Sequence, residues 1–230
     1  MQYATLQLKR IAQSRGFTAR GNAVFRVNGD GVLQILKFQK QASKALVLSV
    51  GLQSLYSELL PQWFYSWGCI PRYTIANLCG ERFVYNAYNC NERYSIDWQL
   101  NALECIGFSW LEDVSTQLEL ANALIFLDQS EGAIMWNDDM KIAPFLFCKN
   151  FELAEKVIVS ILHQHKLADA YKDNTAEKCF HNGYLRLRNE EDAKLEHLLA
   201  IIQQKNWAQI QKYLSENYAV NAKYANFCMK

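Results

Sequence analysis

The residues with the chemistry to act as nucleophiles, bases or metal ligands are few here, and their spacing is unhelpful to that chemistry. His163 and His165 stand two apart in a helical pattern. On a helix they point to different sides, whereas a metal pair needs a spacing of three or four. His181 and His197 are isolated and fit surface or capping roles. The seven cysteines are odd in number and irregularly spaced, with no CxxC pair to hold a structural zinc. They read as reduced thiols, mostly buried, of a cytoplasmic protein. A Cys nucleophile served by a distant His is an open alternative that no residue pattern selects. Asp138-Asp139 and Glu190-Glu191-Asp192 are acid runs. The second follows Asn189 and fits a capped helix start with acids in its first turn. There is no P-loop and no glycine-rich dinucleotide fingerprint. No cofactor or metal site is expected, and a non-enzymatic protein is the favoured reading.

Recognition is better served than catalysis. Residues 1–50 carry eight Lys or Arg against the single acid Asp30, a net +7, and residues 51–150 carry −7. This polarity admits two readings: the segments lie against each other and neutralise locally, or a basic face attracts an acidic or phosphate-bearing partner. Strand alternation expects Arg20, Arg26 and Lys37 on one exposed side of a meander, with Phe25 and Val27 inward. Lys40 extends the same basic segment. The phenylalanines there read as core rather than as stacking platforms, which counts against a nucleic-acid-associated role. Trp63 and Trp67 flank Phe64 in a tyrosine-rich stretch, either as a core stripe or as an exposed protein-binding anchor.

The elements that must position these residues are legible in outline. Residues 2–15 form an amphipathic pattern grouping Tyr3, Leu6, Leu8 and Ile11, with Gly16 at the cap position. Short strands follow at 17–20 and 23–27. Asn28-Gly29-Asp30-Gly31 is a hairpin turn, and 32–41 and 45–53 continue the meander. RFVYNAY (82–88) offers a further strand. After Asp97, placed to cap a helix through about Ile106, the period is helical. Ser109–Glu112 and Thr116–Glu119 have capping-box form, and the second opens a helix with Leu120, Ala121, Leu124 and Ile125 inward. Lys149-Asn150-Phe151 repeats as Lys205-Asn206-Trp207, so two helix hairpins are expected, each bent at an Asn in the left-handed region. HNGYLRLR (181–188) reads as an edge strand after an Asn-Gly turn. No apolar run is long enough to span a bilayer, and the N-terminus lacks the apolar core of a signal peptide.

Gly16-Phe17, Arg20-Gly21-Asn22, Phe25-Arg26 and Phe38-Gln39-Lys40, followed by Leu48-Ser49-Val50-Gly51, resemble the start of the domain-of-unknown-function 4304 family. Asp97-Trp98 is similar to a tryptophan which that family places after its sheet. The resemblance covers about residues 5–55. It implies an α+β bacterial cytosolic protein of unestablished activity, some of whose relatives resemble immunity proteins of polymorphic toxin systems.

The expectation is therefore α+β: an N-terminal helix and an antiparallel meander of about four to six strands over 1–95, with a mainly helical region of helix hairpins over 96–230 packed on it. The expected role is protein binding, with toxin neutralisation as its concrete form. Alternatives are a nucleic-acid-associated protein using the basic sheet face, and an enzyme with an unrecognised site.

Overall fold

A computed structural model describes residues 1–40, 46–58, 72–74, 93–128, 139–172 and 178–229. Helix α1 (Gln2–Gln13) ends in a turn at Gly16 and leads into β1 (Thr18–Arg20), β2 (Ala23–Val27), β3 (Val32–Lys40), β4 (Leu46–Ser54) and β5 (Arg72–Thr74). These strands form one sheet in the order β1-β2-β3-β4-β5, every neighbour antiparallel. Helices follow: α2 (Arg93–Ala102), α3 (Phe108–Asp113), α4 (Gln117–Asp128), α5 (Asp139–Phe147), α6 (Phe151–Lys172), α7 (Lys178–Gln203) and α8 (Trp207–Met229). The architecture is α+β, an antiparallel meander with a mostly helical C-terminal half. RFVYNAY lies outside the described residues.

The sheet is covered on both faces. Val24, Leu36, Phe38, Leu48 and Val50 meet Ala4, Leu8 and Ala12 of α1, Ile96 and Leu100 of α2, and Phe108 and Leu111 of α3. Phe25, Leu33 and Ile35 face the other way, toward Ala225 and Tyr218 of α8. Flanked by β3 and β5, β4 is buried at all nine positions. Such burial replaces the in-out alternation of a half-exposed meander. The inward stripe of α1 is Ala4, Leu8 and Ala12, whose small side chains let the helix sit close to the sheet, while Leu6 turns outward and is 64% exposed. Buried Gln99 finishes the uncovered end of β4, where its Oε1 accepts from Leu48 N (2.7 Å) and its Nε2 donates to Leu46 O (3.1 Å).

Helix α2 runs through a π-helical turn at Leu103–Gly107 directly into α3. Asp97 therefore lies inside a helix rather than at its cap, and accepts a hydrogen bond from the Tyr3 hydroxyl at 2.7 Å. Likewise Ser109 lies inside α3, which starts after Gly107 without a side-chain cap. The Thr116–Glu119 box does form. Glu119 Oε2 accepts from Thr116 N (2.8 Å) and Ser115 N (3.0 Å), and Glu119 N donates back to Thr116 Oγ1 (3.2 Å). Leu120 and Ala121 are buried as expected, while the side chains of Leu124 and Ile125 lie outside the description.

Those backbone bonds hold the Glu119 carboxyl below its ordinary pKa. A depressed acid stabilises the fold above its unfolded-state pKa and loses that contribution as pH falls through the folded value. Glu119→Gln is thus expected to flatten the acid side of the pH–stability curve. Equal acid slopes for the two chains in thermal melts would contradict this.

The C-terminal helices form two hairpins, α5–α6 and α7–α8. Their matching corners follow the repeated motif, with one correction. The left-handed residue is the lysine, Lys149 (φ 59°) and Lys205 (φ 50°). The asparagine caps the next helix: Asn150 Oδ1 accepts from Leu153 N and Asn206 Oδ1 from Gln209 N, both at 3.2 Å. The aromatics of the two corners touch each other, Phe151 and Trp207 lying 5.9 Å apart, and Lys149 Nζ stands 4.9 Å from the Trp207 ring. Both hairpins share one core, which includes Ile142, Leu146, Ile158, Leu198, Ile202, Ile210 and Leu214. Helices α5 and α8 contact the sheet, and α6 and α7 lie outside them.

HNGYLRLR is helical, inside α7, not an edge strand. A 26-residue helix anchored by Leu195, Leu198, Ile201 and Ile202 overrides the local Asn-Gly turn preference. For the same reason Glu190-Glu191-Asp192 lies in mid-helix rather than at a helix start.

Candidate functional site

The register decides where the basic residues go. Val24 pairs with Leu36 and Arg26 with Gln34, on the α1 face of the sheet. Arg20 pairs with Ala23, and Ala23 with Lys37, which puts Arg20 and Lys37 in one cross-strand row on the α8 face. Lys40 shares the parity of Arg26 but sits at the far end of β3, exposed, six positions from Gln34. That spacing along a strand is about 20 Å. The four cations therefore do not share one side of the meander. Strand alternation separates an exposed from a buried side only where one face is open, and here both faces are covered. Trp63 and Trp67 lie outside the described residues.

What the fold does assemble around Arg26 is a compact corner. Phe17, just past α1, and Phe108, opening α3, are both buried and their rings lie 6.0 Å apart. The Arg26 guanidinium stands 4.6 Å from the Phe17 ring centroid, and that of Arg15 stands 5.3 Å from Phe108. Two cations thus rest on two adjacent ring faces. Arg26 is fixed further: Nε donates to Gln34 Oε1 and Nη1 to the Arg15 carbonyl, both at 2.9 Å. Gln34, fully buried, in turn donates through Nε2 to the carbonyls of Leu111 (2.5 Å) and Val114 (3.0 Å) at the end of α3. Burial lowers the Arg26 pKa from its ordinary value, the Glu112 carboxylate opposes that shift, and the Arg15 charge adds to it. Glu112 reaches Arg15 Nη1 only at 3.4 Å, with the two side chains 52% and 47% exposed.

Arg15 and Glu112 were invisible as a pair to sequence reading, because 97 positions separate them. The signal that could have flagged them is the charge polarity: this pair, with Tyr3–Asp97, joins the basic N-terminal segment to the acidic middle.

A second cluster surrounds the hairpin turn. Asp30 Oδ2 accepts from Gln117 N (2.6 Å) at the start of α4, and Gln117 Nε2 donates to Asp30 O (2.9 Å). The lone acid of the first fifty residues thereby serves the positive end of a helix. Tyr56 stacks on Tyr218 at 4.9 Å and meets Phe147 at 4.7 Å. Burial, then Tyr218 and Asp30, push the Tyr56 hydroxyl pKa up. Burial and Asp30 likewise raise Cys148, which keeps that thiol protonated and a poor nucleophile. His165 Nδ1 meets Asp192 Oδ1 at 2.5 Å, and Gln203 donates to Glu155 at 2.9 Å, so α6 and α7 are cross-linked at two levels. Among the described residues no group of three His, Cys, Asp or Glu is placed to hold a metal ion, and no helix is long and apolar enough to cross a membrane.

Comparison with protein-family models, with curated proteins and with solved structures finds no match to this chain.

Proposed function

We propose that this chain is a protein-binding protein, with neutralisation of a bacterial toxin in the cytoplasm as the specific form of that role. The observation that carries the reading is the pair of helix hairpins joined corner to corner through Phe151 and Trp207 and backed by the sheet. Stacked helix hairpins form rigid, extended surfaces that recognise partners without chemistry of their own. The outer helix α6 carries a stripe suited to contact: Val159 and Leu167, 48% and 47% exposed, flank His163, with Glu152, Glu155, Lys156 and Ser160 lining the shallow groove beside them. A few apolar anchors among charged residues fit the anatomy of a non-obligate interface. The resemblance of residues 5–55 supplies the toxin-neutralising form.

The test is co-purification of the full chain with a defined partner at fixed stoichiometry, then co-expression with that partner when it is toxic. Val159→Glu combined with Leu167→Glu is expected to abolish co-purification while leaving the melting temperature unchanged, since both side chains already face water. Retention of the partner by the double variant, or growth arrest despite co-expression, would count against this function.

A further inference from the structure

The Arg15–Arg26 corner is a site of specific chemistry that the hairpin surface does not explain. Guanidinium groups are usually mobile, yet these two are held against Phe17 and Phe108. The bonds to Gln34 and to the Arg15 carbonyl engage Nε and Nη1 of Arg26, and among the described residues its Nη2 group has no hydrogen-bond partner. Beyond the Phe108 ring, the Arg15 guanidinium has one loose polar contact among the described residues, the 3.4 Å approach of Glu112. An exposed pair at that distance contributes little and is readily exchanged. Arg26 therefore holds Nη2 in a fixed position, beside an Arg15 fork that is nearly unspent, and a positioned donor next to an open fork favours capture of an anion.

We propose that Arg15 and Arg26 form a receptor for a carboxylate side chain of an acidic partner protein, and that Glu112 occupies it in the free chain. This deepens the protein-binding reading by naming the chemistry of one contact. A carboxylate is favoured over nucleic acid on two grounds. One carboxylate, that of Glu112, already meets Arg15 and acts electrostatically on Arg26. The rings beneath the cations are buried, 3% and 1% exposed, so no open aromatic face remains for a base to stack on.

The full-length chain should be titrated by calorimetry with a short glutamate-rich peptide, its glutamine counterpart and a single-stranded oligodeoxynucleotide, at low and at physiological salt. The receptor requires binding of the glutamate peptide and not of the glutamine one, weakening with salt. Removing the internal competitor in Glu112→Gln should tighten binding roughly twofold to fivefold. Asp113→Asn removes the same charge from the neighbouring exposed residue and should do much less. Arg15→Glu should end binding, and Arg15→Lys should weaken it by losing the fork and the ring contact. Thermal melts of each variant establish that the fold is kept, which is expected because Arg15, Glu112 and Asp113 are exposed.

The receptor would be overturned by failure of the glutamate peptide to bind in preference to the glutamine one, no change or a loss with Glu112→Gln, an equal gain with Asp113→Asn, or Arg15-dependent binding of the oligonucleotide in preference to the peptide. The same holds where the partner is lost on substituting Val159 and Leu167 but kept by Arg15→Glu. In that case the protein-binding reading stands without this receptor.

Discussion

Gly31→Ala should destabilise the fold by about 2–5 kcal/mol, through two separable costs. Gly31 holds φ at 76°, where an L side chain costs roughly 1–2 kcal/mol. A Cβ there would also lie 3.0 Å from Tyr56 Cε2 and 3.1 Å from Tyr218 Cε2. Those rings cannot simply retreat. Each stacks on the other, and Tyr56 also meets Phe147 at 4.7 Å, so moving either one disturbs the seam between the sheet, α5 and α8. Such overpacking adds about 1–3 kcal/mol. Gly21 provides the control: its φ is 58° but no atom lies within 4 Å of its would-be Cβ. Gly21→Ala should therefore show only the conformational cost, about 1–2 kcal/mol. The difference between the two variants in denaturant melts isolates the clash, and near-ultraviolet circular dichroism should report tyrosine rearrangement in Gly31→Ala alone. Equal losses at the two glycines would mean that the aromatic seam yields freely.

The glycine result bears on which parts of this fold are local and which are not. The turn at 28–31 was legible because its signal is local: residues that tolerate positive φ, set between two apolar runs. The Thr116–Glu119 box was legible for the same reason, since its partners stand three residues apart. The helix corners were legible as a repeat, although the strained position fell on lysine while asparagine took the cap. HNGYLRLR failed because a long packed helix outweighs one turn signal. Arg26 failed for a deeper reason. Period-2 alternation says which residues share a face, and Arg26 does share one with Val24. It does not say that the face is wet. The packing of α1 with the later helices α2 and α3 decides that, by covering the side that alternation left open. The Arg15–Glu112 contact was out of reach for the same reason, since its geometry exists only once α3 docks beside the turn at Gly16.

That docking rests on one buried amide, so Gln34→Leu should be among the most damaging single substitutions. Gln34 is fully buried on β3, and its Nε2 serves the carbonyls of Leu111 and Val114, at the last turn of α3 and just beyond it. A leucine of similar size fills the space but leaves both carbonyls without that donor in a dry site. At about 1–3 kcal/mol for each orphaned polar group, the loss is roughly 3 kcal/mol or more, since Arg26 Nε also loses its acceptor. For a chain of this length that is a fall of about 6–12 °C in melting temperature. Arg26→Met separates the contributions. It removes the part-exposed cation and orphans one buried group, Gln34 Oε1, while keeping a flexible apolar chain over Phe17, so its own cost should be smaller. In the double-mutant cycle the coupling should be a minor share of the Gln34→Leu loss, because the larger share belongs to the carbonyls of α3. A coupling equal to that whole loss would instead make the Arg26–Gln34 bond the true anchor, with α3 held in place by its apolar contacts alone.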